Sequence, residues 1–239
     1  SARPFLLSKA EGGGQLNIKQ NTLKFLPIPI PPLSEQHKIV ALLDLEIVKL
    51  RDLIAYKNKL IKLLTEKLEK IIFTAITKGI SPKNNFKEVK EGELESIPTN
   101  WSLKPLKNIS TIHGRIGFRG YSSSDIVPKG QGALSLSPSN IVNNKLNIDI
   151  CSYISWSKYD ESPEIKVFEG DILLVKTASV GKVCFVDLLD QPATINPQML
   201  VFKDIKINNR FLFFSLSSQY FQSMLLKHNR SSTFPSINQ

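Results

Sequence analysis

The sequence predicts an α+β chain: one mixed α/β domain and a long helix of coiled-coil type that needs a partner helix. Three observations carry this. The stretch from Ser34 to Lys78 contains no Pro or Gly. Short β-type runs recur from Ala133 to Phe202, and an apolar-faced stretch, Phe211 to Leu226, follows as a closing helix.

Taken in order, residues 1–33 hold a tail and a strap. Phe5-Leu6-Leu7 suits a helix end, and Gly12-Gly13-Gly14 a loop. Leu26-Pro27-Ile28-Pro29-Ile30-Pro31-Pro32-Leu33 is a stiff extended strap, because alternate prolines remove donors and hold the backbone open. It is expected to pack on a surface rather than to serve a proline-recognition domain. Residues 34–79 form the long helix. Ser34 is expected as N-cap, Glu35 suits the first turn, Lys78 the last, and Gly79 the stop. Ile39, Leu43, Ile47, Leu50, Ile54, Ile61, Leu64, Leu68, Ile71 and Ala75 step mostly by three and four, a seam between charged faces. At about 1.5 Å per residue the helix spans on the order of 65 Å, too long to bury that seam in a small globule. The alternative is an ordinary long core helix.

Residues 80–96 read as a polar linker. Residues 97–239 form the compact domain, opening at Ile97-Pro98-Thr99-Asn100-Trp101. Its β-type runs are Ala133–Leu136, Ile148–Ile154, Asp171–Lys176, Lys182–Val186 and Gln198–Phe202.

The chain has 239 residues, enough for one or two domains, and a formal net charge of +10. That charge points to a polyanionic partner, with solubility as the plain alternative. Cys151 and Cys184, with His37, His113 and His228 scattered, write no zinc motif and suit a reducing compartment. No apolar run crosses a membrane and no signal peptide is visible, so the chain reads as cytoplasmic. No phosphate-loop, nucleophile–base, methyltransferase or helicase signature is found. Gly114-Arg115-Ile116-Gly117-Phe118-Arg119-Gly120 lacks the strand-turn-helix setting of a nucleotide loop. The reading is non-catalytic, with no cofactor and no metal.

The two ends also rhyme. Phe5-Leu6-Leu7 to Gln20 and Met224-Leu225-Leu226 to Gln239 each run from a Leu-Leu helix end through a small-residue loop to an Ile- and Asn-containing close. Chance explains so short a match, or the chain is one repeat of an alternating pattern.

The Pro-rich strap joined to Ser34-Glu35-Gln36, the helix ending at Lys78-Gly79, and Ile97-Pro98-Thr99-Asn100-Trp101 resemble specificity subunits of type I restriction-modification systems. So do Gly170-Asp171-Ile172-Leu173-Leu174-Val175-Lys176, Val180-Gly181-Lys182 and Ala193-Thr194-Ile195-Asn196-Pro197-Gln198. The resemblance implies a target recognition domain beside a long helix that pairs antiparallel with a partner helix. It implies a half-subunit or truncated form: one recognition domain, one helix, and the tail of another domain. The implied partners are double-stranded DNA, methyltransferase subunits, restriction subunits, and a second copy through Leu43, Leu50, Ile54, Ile61, Leu64 and Leu68; the partners carry the catalysis.

For DNA contact, Arg115 or Arg119 is expected to meet a base, the alternative being a surface arginine beside Phe118. Tyr121, Ser122 and Ser123 follow as phosphate or base partners. Lys176, Thr177, Ser179 and Lys182 suit backbone contact or make a plain polar hairpin. Asn196 and Gln198 read a base or cap a turn, Arg230 approaches the backbone, and His113 is structural. Two other readings stay open: a structural coiled-coil protein with incidental charge, and a detached specificity segment of a fused restriction-methylation enzyme.

Overall fold

The computed structural model describes residues 19–81, 83–91 and 94–227. The chain divides into two units, 1–63 and 64–239.

In the first unit, helix α1 (Gln20–Lys24) leads into the strap and then into α2 (Leu33–Lys78). Ile28 and Ile30 of the strap are 74% and 76% exposed. Helix α2 starts one residue before the expected cap. Pro32 O accepts from Glu35 N and Gln36 N, which places Ser34 inside the first turn. The Gln36 side chain donates back to Pro31 O at 2.7 Å and fixes the entry of the strap.

The second unit begins within α2. Gly79 follows its last turn at φ +77°, donating to Ala75 O, while Asn84 Nδ2 donates to Lys78 O at 2.9 Å. A Cβ at Gly79 would lie 2.9 Å from that amide nitrogen and 3.3 Å from the Trp101 ring. Residues 80–96 are not a plain linker. Strands β1 (Phe86–Glu91) and β2 (Leu94–Pro98) pair antiparallel, burying Leu94 and Ile97, and Lys78 Nζ donates to Ser96 Oγ at 2.7 Å.

Strand β3 (Thr111–Gly114) comes next. The chain then runs through β4 (Ile126–Val127), β5 (Ala133–Leu136), the small hairpin β6 (Ile141–Val142) and β7 (Lys145–Leu146), and β8 (Ser152–Ile154). Helix α3 (Trp156–Asp160) and strands β9 (Lys166–Val167), β10 (Ile172–Val175), β11 (Val183–Phe185), β12 (Ala193–Ile195) and β13 (Met199–Lys203) follow. Two helices, α4 (Asn209–Ser217) and α5 (Gln219–Lys227), come last.

The strands make a four-stranded antiparallel sheet, ordered β11-β10-β13-β3, and a mixed five-stranded sheet, ordered β4-β8-β5-β12-β9. Alternation sorts the side chains. Leu173, Val175, Cys184, Met199 and Val201 pack with Leu134, Leu136, Val167 and Ile195 of the five-stranded sheet. Ile172, Leu174, Val183, Leu200 and Phe202 face the other way and pack with Leu212 and Leu216 of α4. Strands β10 and β13 are therefore covered on both faces, which is why they read as unbroken apolar runs. The Cys184 thiol sits in this core, and burial, helped by Asp187, pushes its pKa up to about 12.

The closing helix, expected as one piece, is two. Ser218 is extended (φ −71°, ψ 151°); its hydroxyl donates to Ser215 O at 2.6 Å and accepts from Phe221 N at 3.3 Å. One buried serine ends α4 and caps α5.

Replacing Gly79 by Ala puts a Cβ in a left-handed position against Asn84 and Trp101. The expected loss is about 1–2 kcal/mol, read as a lower urea midpoint with an unchanged slope.

Candidate nucleic-acid interface

Strand registers decide which loops meet. Val175 pairs with Met199, Leu174 with Val183, and Leu200 with Gly114. Strands β10 and β3 thus end, and β11 and β13 begin, at one edge of the four-stranded sheet. Strand β12 reaches the same edge through the turn 196–198, and β5 ends beside it, Leu136 opposite Ile195. Loops 115–125, 176–182 and 196–198 all leave from there, carrying most of the residues singled out from sequence.

The two arginines differ. Arg115 is 3% exposed. Its Nε donates to Ile195 O, Nη2 to Thr194 Oγ1 and Nη1 to Arg119 O, each at 3.2 Å, and its guanidinium lies 5.3 Å from the Tyr121 ring centre. Burial lowers its pKa. Such a group fastens loop 115–125 to β12 and presents no fork to a base. Arg119 is half-buried, with Nη1 3.3 Å from Glu164 Oε1.

Tyr121 Oη accepts from Ser135 Oγ at 3.1 Å. Ser122 N and Oγ both donate to Asp125 Oδ2, at 2.8 and 3.2 Å, so Ser122 closes a turn. The Ser122 backbone bond, foremost, lowers the Asp125 pKa. Ser123 is exposed.

Loop 176–182 is held from behind. Ala178 sits at φ +64° and Gly181 at φ +94°. Gln222 Nε2, on α5, donates to Gly181 O and Leu216 O, both at 2.8 Å, and a Cβ at Gly181 would lie 2.1 Å from Gln222 Oε1. Sequence reasoning missed Gln222 and Glu164; the one signal was a polar residue among the apolar positions of the closing helix. Thr177 is half-buried, and Ser179 and Lys182 are exposed. Lys176 is half-buried; burial lowers its pKa, and no carboxylate pairs with it among the described residues.

In the third loop Asn196 is buried, its Oδ1 accepting from Gln198 N at 3.0 Å, while Gln198 is half-buried. His113 lines an apolar cleft of about 440 Å³ with Leu106, Phe221 and Leu225. Arg230 lies outside the described residues.

On α2, Leu43, Leu50, Ile54, Ile61, Leu64 and Leu68 are each more than half exposed, with Leu53, Tyr56 and Leu63 in a second exposed row. No helix among the described residues is long and apolar enough to cross a membrane.

Replacing Arg115 by Lys removes the fork that spans Ile195, Thr194 and Arg119. It is expected to lower stability by about 1–3 kcal/mol in chemical denaturation, because one ammonium cannot satisfy three directions. Wild-type stability in the Lys variant would contradict the fastening role.

Residues 4–66 match the family model described as the type I restriction modification DNA specificity domain. Over 229 residues, 93% of this chain, the sequence is 28% identical to the type I restriction enzyme MjaVIII specificity subunit of Methanocaldococcus jannaschii, covering 51% of that protein. It is 30% identical over 169 residues, 71% of this chain, to a putative type I restriction enzyme MjaX specificity subunit of the same organism, covering 36% of it. The chain thus spans about half or less of the curated relatives it matches. A solved chain, from work on assembly and conformational transition of the type I R-M system, superposes with a TM-score of 0.59 at 17% identity. That match covers 99% of this chain and 53% of the other, and shows likeness of fold alone. In its DNA specificity domain match and its alignment to curated subunits, the chain is similar to the specificity subunits of type I restriction-modification systems.

Proposed function

We propose that this chain reads double-stranded DNA by sequence and directs methyltransferase and restriction subunits to a split target site in the cytoplasm, doing no catalysis itself. The reading rests chiefly on one observation: Arg119, Lys176, Thr177, Ser179, Lys182 and Gln198 share one sheet edge, on loops held from behind by Arg115, Asn196 and Gln222. A preformed edge of this kind suits a rigid ligand with regularly spaced phosphates and base edges. Thr177, Ser179 and Lys182 take phosphate oxygens, which set register. Arg119 exchanges Glu164 for a base edge.

A second copy covers the α2 seam. Twofold symmetry would make the target two inverted copies of one half-site, separated by about one helical turn. The exposed Leu and Ile rows on α2 support this pairing.

Selection from a random duplex library, with the full chain and the proteins it retains from its own cells, tests the reading. A split, inverted motif with a constant gap is expected; no enrichment at low salt from an intact complex would overturn it. Arg119→Ala is expected to weaken specific binding far more than nonspecific binding, and equal losses would make Arg119 a phosphate contact. The double change Leu50→Asp, Leu64→Asp is expected to give monomers by light scattering, and a persisting dimer would end the seam pairing.

A further inference from the structure

Residues 196–198 carry a relay of hydrogen bonds whose direction is set by its first member. A backbone N–H can only donate, so the Asn196 atom 3.0 Å from Gln198 N is its acceptor, Oδ1. The other end of that amide is the donor Nδ2, and the Gln198 atom 3.1 Å from it is therefore the acceptor Oε1. Asn196 is buried and its own N–H is tied to Leu136 O at 2.8 Å. Its amide cannot turn over without losing the backbone bond. Gln198 consequently turns its amino end, Nε2, away from the relay, and among the described residues nothing is bonded to it.

Lys176 stands beside it. Lys176 N donates to Gln198 O at 2.8 Å, one step beyond the Val175–Met199 pair. Its ammonium adds donors and no acceptor, with no carboxylate to neutralise it among the described residues. The backbone pairing sets the two residues side by side on the loop edge, with Nε2 and the ammonium as donors that no described residue takes up.

We infer that Gln198 and Lys176 read a guanine in the major groove of the target. Guanine presents two adjacent acceptors there, N7 and O6. Adenine pairs its acceptor with an amino donor, cytosine offers a donor, and thymine sets a methyl beside a single acceptor. A glutamine with both ends free would suit adenine; the bond from Asn196 occupies one lone pair of Oε1 and fixes its direction, which leaves Nε2 as the wholly unbonded end and favours an acceptor pair. The inference rests on the DNA reading proposed above and narrows it to two residues and one base.

The test is duplex selection followed by binding titrations with the full chain, wild type against Gln198→Ala, Gln198→Glu and Asn196→Asp. Gln198→Ala is expected to cut the preference for guanine at one position of each half-site by roughly 10- to 100-fold, leaving other positions unchanged. Gln198→Glu, an acceptor, is expected to move that position toward cytosine. Asn196→Asp keeps the backbone bond but cannot donate to Oε1, so Gln198 is freed to turn and adenine is admitted. Asn196 is buried, so thermal melting accompanies that variant; the Gln198 variants decide the matter if it fails to fold. A uniform loss on all sequences with a shallower salt dependence would make Gln198 a phosphate contact and overturn the inference, as would an unchanged motif. A wild-type chain that selects no motif would overturn the DNA reading and this inference with it; a wild-type motif untouched by Gln198→Ala overturns this inference alone.

Discussion

Both faces of strands β10 and β13 are buried, and the rest of the second unit follows from that constraint. Leu173, Val175, Met199 and Val201 need a second sheet to cover them, while Ile172, Leu174, Leu200 and Phe202 need α4. At about 25 cal/mol per Å² of apolar surface, two covered faces supply more driving force than a half-solvated sheet of the same size. The cost is that these strands keep no side chains for solvent-facing chemistry. Whatever the domain offers a large ligand must come from where strands end, and the registers bring those ends together.

Much of the fold was legible because its signals are long or periodic. Helix α2 announced itself by length, absence of breakers and a seam of threes and fours, and β10 and β13 by unbroken apolar runs. The β1–β2 hairpin was not legible: Phe86-Lys87-Glu88-Val89-Lys90-Glu91 carries more charge than apolar surface and reads as linker until Leu94 and Ile97 are seen buried. The start of α2 shifted by one residue because a proline carbonyl, not the Ser34 hydroxyl, receives the first bonds. One closing helix became two because the Ser218 hydroxyl out-competes the helical backbone, which composition alone does not reveal.

The candidate site was legible by residue type and loop, and illegible in the state of each side chain. Arg115 and Arg119 lie four residues apart in a similar glycine-rich setting, yet one is buried against Thr194 and Ile195 and the other is half-buried beside Glu164. That difference is made by residues about eighty positions away. Gln222 escaped notice for the same reason, since its partner Gly181 lies on another element. Side chains that support a loop from a distance leave little local trace.

Heredity meets such a sheet unevenly. A codon change in Ile172–Val175 or Met199–Phe202 alters a residue sealed on both sides, and few alternatives of the right volume fill the same space. A change at Ser179, Lys182 or Pro197 alters an exposed residue, and the packing behind it is indifferent to the outcome. Drift in the gene is thereby channelled toward the rim, where the loops vary while the folded body stays the same.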